Sequence, residues 1–143
     1  MSDERLSERE YELWHAAKKL SETLSAKVMA DVNAASGVSL PELQILNRLD
    51  TLGNGRLVQQ ELMKSLGWDK SRLSHLLTRM QKRLLIERHP AGRSVEVVIS
   101  GTGTQILSAA LPAYTKAIRR HLLDRITDRE SETLLALCAK ISH

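Results

Sequence analysis

The sequence predicts a mainly α-helical fold in which one β-hairpin interrupts a run of helices. Three observations predict it. Aromatic residues are 3% of the 143 and Phe is absent, so the core must come from Leu, Ile, Val, Ala and Met, a mix that favours helix. Apolar residues recur three or four positions apart through most of the chain. Only between Leu85 and Ile99 does the pattern shorten toward the period of a strand. The expected element order is α-α-α-α-β-β-α-α.

The first helix is expected over Ser7–Ala34. Leu13, Ala17, Leu20, Leu24 and Val28 share one face, and Tyr11 and Trp14 widen it. Ser36-Gly37 ends it. Ser39 then caps a second helix running to Leu52, with Pro41 in the first turn and Glu42 completing a capping box. Leu43, Ile45, Leu46 and Leu49 are its core candidates. Gly53-Asn54-Gly55 reads as a turn.

A short third helix is expected over Leu57–Leu66, closed by Gly67. Asp69 is placed to cap the fourth, Lys70 to about Leu84, on which Leu73, Leu77, Met80 and Leu84 form an apolar stripe bordered by Leu76. Two strands, Leu85–Arg88 and Ser94–Ile99, flank a basic tip at 89–93. Ser100-Gly101-Thr102-Gly103 reads as a breaker. A long helix follows over Thr104–Arg125, with Leu107, Leu111, Tyr114, Ile118 and Leu122 inward and Pro112 as a candidate kink. Thr127 and Glu130 form a second capping box for a last helix, Asp128–Ile141, with Leu134, Leu137 and Ile141 inward.

The net charge is +4, and its distribution matters more than its size. From Arg56 to Arg93 there are nine Lys and Arg against three acids, whereas Asp3, Glu4, Glu8, Glu10 and Glu12 crowd the first twelve residues. A localised basic footprint suits a polyanionic partner. The single cysteine, Cys138, excludes an intrachain disulfide and reads as a small buried apolar group. With no long apolar run and an acidic, polar start, neither a membrane span nor a secretion signal is read, and a cytoplasmic location is expected.

The third and fourth helices with their short connection form a helix-turn-helix, whose second helix enters the major groove. Away from its apolar stripe the fourth helix carries Lys70, Ser71, Arg72, Ser74, His75, Thr78, Arg79 and Lys82, with no acid after Asp69. Cations answer phosphates, and hydroxyls donate to phosphates or base edges. The hairpin is then a wing, with Arg93 suited to the minor groove. Arg88 has two readings: pairing with Glu87 or another acid, or bracing the hairpin. The long terminal helices carry more apolar surface than one small core needs, which a homodimer would cover. The domain boundaries follow: 1–38 and 101–143 form a helical dimerisation region, and 39–100 form the winged helix-turn-helix.

Other chemistries find little support. No nucleophile elbow, Walker loop or dinucleotide fingerprint occurs. Ser71 and His75 lie one turn apart, but no acid is set to orient the imidazole, so the chain is not read as an enzyme. No cofactor or metal is expected; His15 and His121 on the long helices are candidates only for approaching each other in a dimer. The rival function is a helical module that uses the winged domain to bind protein.

The chain resembles the MarR family of bacterial winged helix-turn-helix transcriptional regulators. The matching stretches are Ser39-Leu40-Pro41-Glu42-Leu43-Gln44-Ile45-Leu46, Leu57-Val58-Gln59-Gln60-Glu61-Leu62, and Ser71 through Met80. Leu84-Leu85-Ile86-Glu87-Arg88, Arg93-Ser94-Val95 and Ile99 through Gly103 continue the match. The resemblance implies a homodimer whose terminal helices join two winged domains on a pseudopalindromic site in double-stranded DNA. It also implies repression relieved by an effector such as a small aromatic or phenolic compound. One departure stands out: the family's wing usually has an Asp two residues before the arginine matching Arg93, and here that residue is Ala91.

Overall fold

Capping signals in the sequence mark most helix starts. The structure, a computed structural model, describes residues 4–143; Asp3 of the N-terminal acidic group lies outside them. The described elements are α1 (Glu8–Ser36), α2 (Leu40–Gly53), β1 (Arg56–Val58), α3 (Gln59–Leu66), α4 (Lys70–Lys82), β2 (Ile86–Ala91), β3 (Ser94–Ile99), α5 (Gly101–His121) and α6 (Asp128–Ile141). A 3-10 turn covers Leu123–Arg125. This is a mainly α winged helix-turn-helix fold with long terminal helices.

The caps act as the sequence predicts. Ser39 Oγ accepts from the Glu42 amide, and the Glu42 carboxylate accepts from the Ser39 amide at 3.0 Å. Thr127 and Glu130 repeat this at the head of α6. Ser7 and Glu10 do so at the start of α1, and the Ser7 amide, then its hydroxyl, hold the Glu10 carboxyl below the usual carboxylate range. Each cap satisfies amides that a helix start leaves orphaned, worth about 1 kcal/mol.

The chain divides into two compact units, residues 32–113 and residues 1–31 with 114–143. The central unit's core is aliphatic. Ile45, Leu46 and Leu49 of α2, Leu62 of α3, Leu73, Leu77 and Met80 of α4, and Leu85, Ile86 and Val97 are fully buried. Each such side chain contributes roughly 1.5–3 kcal/mol by leaving water. In the other unit Val28 and Ala117 are buried, and His121 Nε2 lies 2.8 Å from Asp31 Oδ2. His121 therefore pairs with an acid, while His15 stacks on Tyr11 with ring centroids 5.9 Å apart. Leu134, Leu137 and Ile141, expected inward on α6, are all exposed in the chain, as is Cys138, expected buried.

Tertiary pairing redraws four local expectations. Leu57 and Val58, expected in the third helix, form β1 and pair antiparallel with Val97 and Glu96. Their backbone finds a ladder partner far along the chain, which periodicity cannot register. The sheet order is β1-β3-β2, and β2 extends to Ala91, so Pro90 sits on an edge strand where its missing amide costs nothing to the ladder. The wing tip is thereby only Gly92-Arg93, with Gly92 at φ +63 in the first central position, as a type II′ turn requires. Ser100-Gly101-Thr102-Gly103 does not break structure: Ser100 Oγ accepts from the Gly103 amide at 2.9 Å and starts α5.

The fourth difference is Leu84. The stripe on α4 predicts it inward, but α4 ends at Lys82 and Leu84 adopts φ +63, with its side chain 70% exposed. The left-handed residue turns the chain from α4 into β2 and aims the buried pair Leu85-Ile86 at the core instead. Ser100 Oγ ties the turn down by donating to the Leu84 carbonyl at 2.5 Å.

Candidate nucleic-acid interface

Helix α4 is built to hold one face still and offer the other. Asp69 caps it by accepting from the Arg72 amide at 2.8 Å. Leu73, Leu76, Leu77 and Met80 are buried beneath it. The opposite surface exposes Lys70, Ser71, Arg72, His75, Arg79 and Lys82, with Ser74 and Thr78 half-buried at its margin. Among the described residues no carboxylate lies within ion-pair distance of Lys70, Arg72, Arg79 or Lys82, whereas Arg56, Lys64 and Arg83 all have acidic partners. The face is thus a row of unneutralised cations and hydroxyls.

Two arginines clamp the C-terminal half of α4. At its C-terminal end Arg83 Nη1 donates to Glu42 Oε2 and Nη2 donates to the Gly37 carbonyl at 2.8 Å. Along its flank Arg88 of β2 donates from Nε to Gln81 Oε1 at 2.7 Å and from Nη2 to Thr78 Oγ1 at 3.1 Å. Arg88 therefore braces the wing against α4, and Glu87 turns instead to His89 at 2.9 Å. The Thr78 hydroxyl donates to the Ser74 carbonyl while accepting from Arg88, so its position is set by the wing.

Arg93 stands exposed at the wing tip. No acid pairs with it among the described residues, in keeping with Ala91 at the usual acidic position. It lines an open groove with Lys70 at the start of α4, Gln59 and Gln60 at the start of α3, and Ser94 and Val95 of β3. Lys70 and Arg93, far apart in sequence, thus border one concavity. The sequence reading missed Trp68, which lies just before the Asp69 cap with the Arg72 guanidinium 4.1 Å over its ring centre. The available signal was an aromatic residue four positions before an arginine. It was hidden because the pair straddles a helix cap rather than sharing a helix.

Solved structures with this fold include MarR family transcriptional regulators. Residues 41–100 match a family model described as a domain of unknown function, DUF7343. No curated protein matches the sequence. Among solved structures, AbsC, a MarR family transcriptional regulator from Streptomyces coelicolor, superposes with a TM-score of 0.84 at 23% identity over 96% of this chain and 95% of its own. Sco3205, a MarR family regulator from the same organism solved in complex with DNA, gives 0.83 at 21% identity over 96% and 89%. The organohalide-sensing regulator RdhR-CbdbA1625, in its 2,4-dichlorophenol-bound form, gives 0.81 at 19% over 99% and 83%. Helix order, wing and near end-to-end superposition make this chain a winged helix-turn-helix protein of the MarR-regulator fold.

Proposed function

We propose that the chain is a sequence-specific transcriptional regulator that binds a pseudopalindromic site in double-stranded DNA as a homodimer. The observation that carries this reading is the unneutralised face of α4, borne on the second helix of a helix-turn-helix and flanked by the wing arginine. Lys70, Arg72, Arg79, Lys82 and Arg93 serve the phosphates or base edges, and Ser71, Ser74, His75 and Thr78 the base edges or sugar-phosphate oxygens. Residues 39–100 act as the reading domain, and 1–38 with 101–143 as the dimerisation region. Repression relieved by a small aromatic or phenolic effector is supported by the similarity to the dichlorophenol-bound regulator.

The test is affinity for a selected duplex and a scrambled duplex over a salt series. Phosphate contacts make affinity fall steeply with salt. Arg79→Ala lowers the salt slope by about one and weakens all sequences alike. Ser74→Ala and His75→Ala relax preference at particular bases. A triple Ser74, His75 and Arg79 variant that keeps full affinity and preference would move the function to protein binding.

A further inference from the structure

We propose that Trp68 is a positioning residue for DNA recognition, holding the Arg72 guanidinium edge-on for a guanine in the major groove. The inference rests on the reading of α4 as the DNA-contacting helix and names what one of its residues recognises. The Arg72 guanidinium carbon lies 4.1 Å over the centre of the Trp68 ring, within cation–π reach of its face. A stacked guanidinium keeps its N–H edge free, and that fork matches the paired O6 and N7 acceptors of guanine.

Three further features point the same way. Arg72 occupies the first turn of α4, the part of a recognition helix that meets base edges. The nearby carboxylate, Asp69, is engaged by the Arg72 backbone amide. Among the described residues no other acid pairs with the guanidinium, so its donors face solvent. A free arginine on a helix samples many rotamers, and binding must freeze them. Stacking on Trp68 orders the side chain beforehand. Lysine in its place would keep the charge and lose both the stack and the fork.

The experiment uses the full-length protein and the duplex it selects from a random library. Each guanine is replaced in turn by 7-deazaguanine, which lacks N7. At one guanine per half-site the wild type loses roughly 5-fold or more in affinity. Arg72→Ala becomes insensitive to that replacement, and Arg72→Lys retains the wild-type salt slope. Trp68→Leu loses most of the sensitivity with the salt slope unchanged, whereas Trp68→Phe restores it. Trp68→Leu added to Arg72→Ala costs nothing further in discrimination, because the two act as one unit. Unchanged 7-deazaguanine sensitivity in Trp68→Leu, or a selected site with no N7-sensitive guanine, overturns the proposal while leaving DNA binding intact. Should Trp68→Leu fail to fold, Arg72→Ala and Trp68→Phe decide it: sensitivity kept by the first or lost by the second is fatal. A wild type that binds no duplex overturns this inference together with the proposed function.

Discussion

Arg83 donates to the buried carboxylate of Glu42 at 2.5 Å, across 41 positions of sequence. Glu42 is the buried charged residue of the core set, and it also accepts from Ser39. One acid thus caps α2 and anchors the C-terminal end of α4. Arg83→Met should cost about 1–2 kcal/mol, less than breaking a fully buried pair, because Arg83 itself is 43% exposed and Glu42 keeps its Ser39 partners. Arg83→Lys should fall between, since an ammonium does not reproduce the fork that spans Glu42 and the Gly37 carbonyl. Urea denaturation measures both, and an Arg83→Met midpoint equal to wild type would remove the clamp from the account.

Gly103 should tolerate no side chain. A Cβ there would lie 2.1 Å from the Leu85 carbonyl oxygen, and the obstacle is backbone. Gly103→Ala is expected to cost about 2 kcal/mol or more, because α5 must move away from the start of β2. Gly101→Ala, which meets nothing within 4 Å, should stay within about 0.5 kcal/mol of wild type. Thermal melts of the two variants side by side separate crowding from a general dislike of alanine in this segment.

Leu84 is an apolar, β-carbon-bearing residue held at φ +63 while largely exposed. Asparagine accepts that conformation more readily and sacrifices little buried area. Leu84→Asn should therefore raise stability by about 0.5–1 kcal/mol. A lower melting temperature in Leu84→Asn would show that the exposed leucine is covered in the assembled protein.

Helix α6 buries none of its residues in the single chain, and Leu134, Leu135, Leu137 and Ile141 are exposed together. In the proposed homodimer these positions are covered by the partner. Sedimentation should give twice the 16.0 kDa chain mass at low micromolar concentration. A Leu137→Glu, Ile141→Glu variant should sediment as a folded monomer and lose operator affinity. Dimers that survive both substitutions would place the interface elsewhere.

Wing-tip Arg93 has no acidic partner among the described residues, and Ala91 closes β2 by pairing with Ser94. Arg93→Ala should weaken operator binding less than Arg79→Ala does, because Arg93 stands on an exposed two-residue turn that must be ordered on binding, whereas Arg79 stands on a helix held by its buried face. Equal losses for the two variants would mean that the DNA itself orders the wing.

Local pattern alone determined the helices, their capped starts and the aliphatic core of this protein. Capping boxes at Ser39-Glu42 and Thr127-Glu130, the Asp69 cap and the buried set Leu43, Ile45, Leu46, Leu49, Leu73, Leu77 and Met80 are signals carried within a turn or two of chain. The outward face of α4 was legible for the same reason: a helix with a known inner stripe has a known outer one. Only the tertiary structure decided where period and pairing compete. Leu57-Val58 became a strand because Val97 and Glu96 supplied hydrogen bonds from the far side of α4 in sequence. Leu84 left the stripe because the chain had to turn into β2, and Ser100 opened α5 because its hydroxyl reached both Leu84 and Gly103. The outward face of α6 and the exposed Cys138 escaped the sequence because periodicity shows that a face is apolar and says nothing of what covers it. The clamps on α4, from Arg83 to Glu42 and from Arg88 to Thr78, depend on distances between elements, which no spacing along one element encodes.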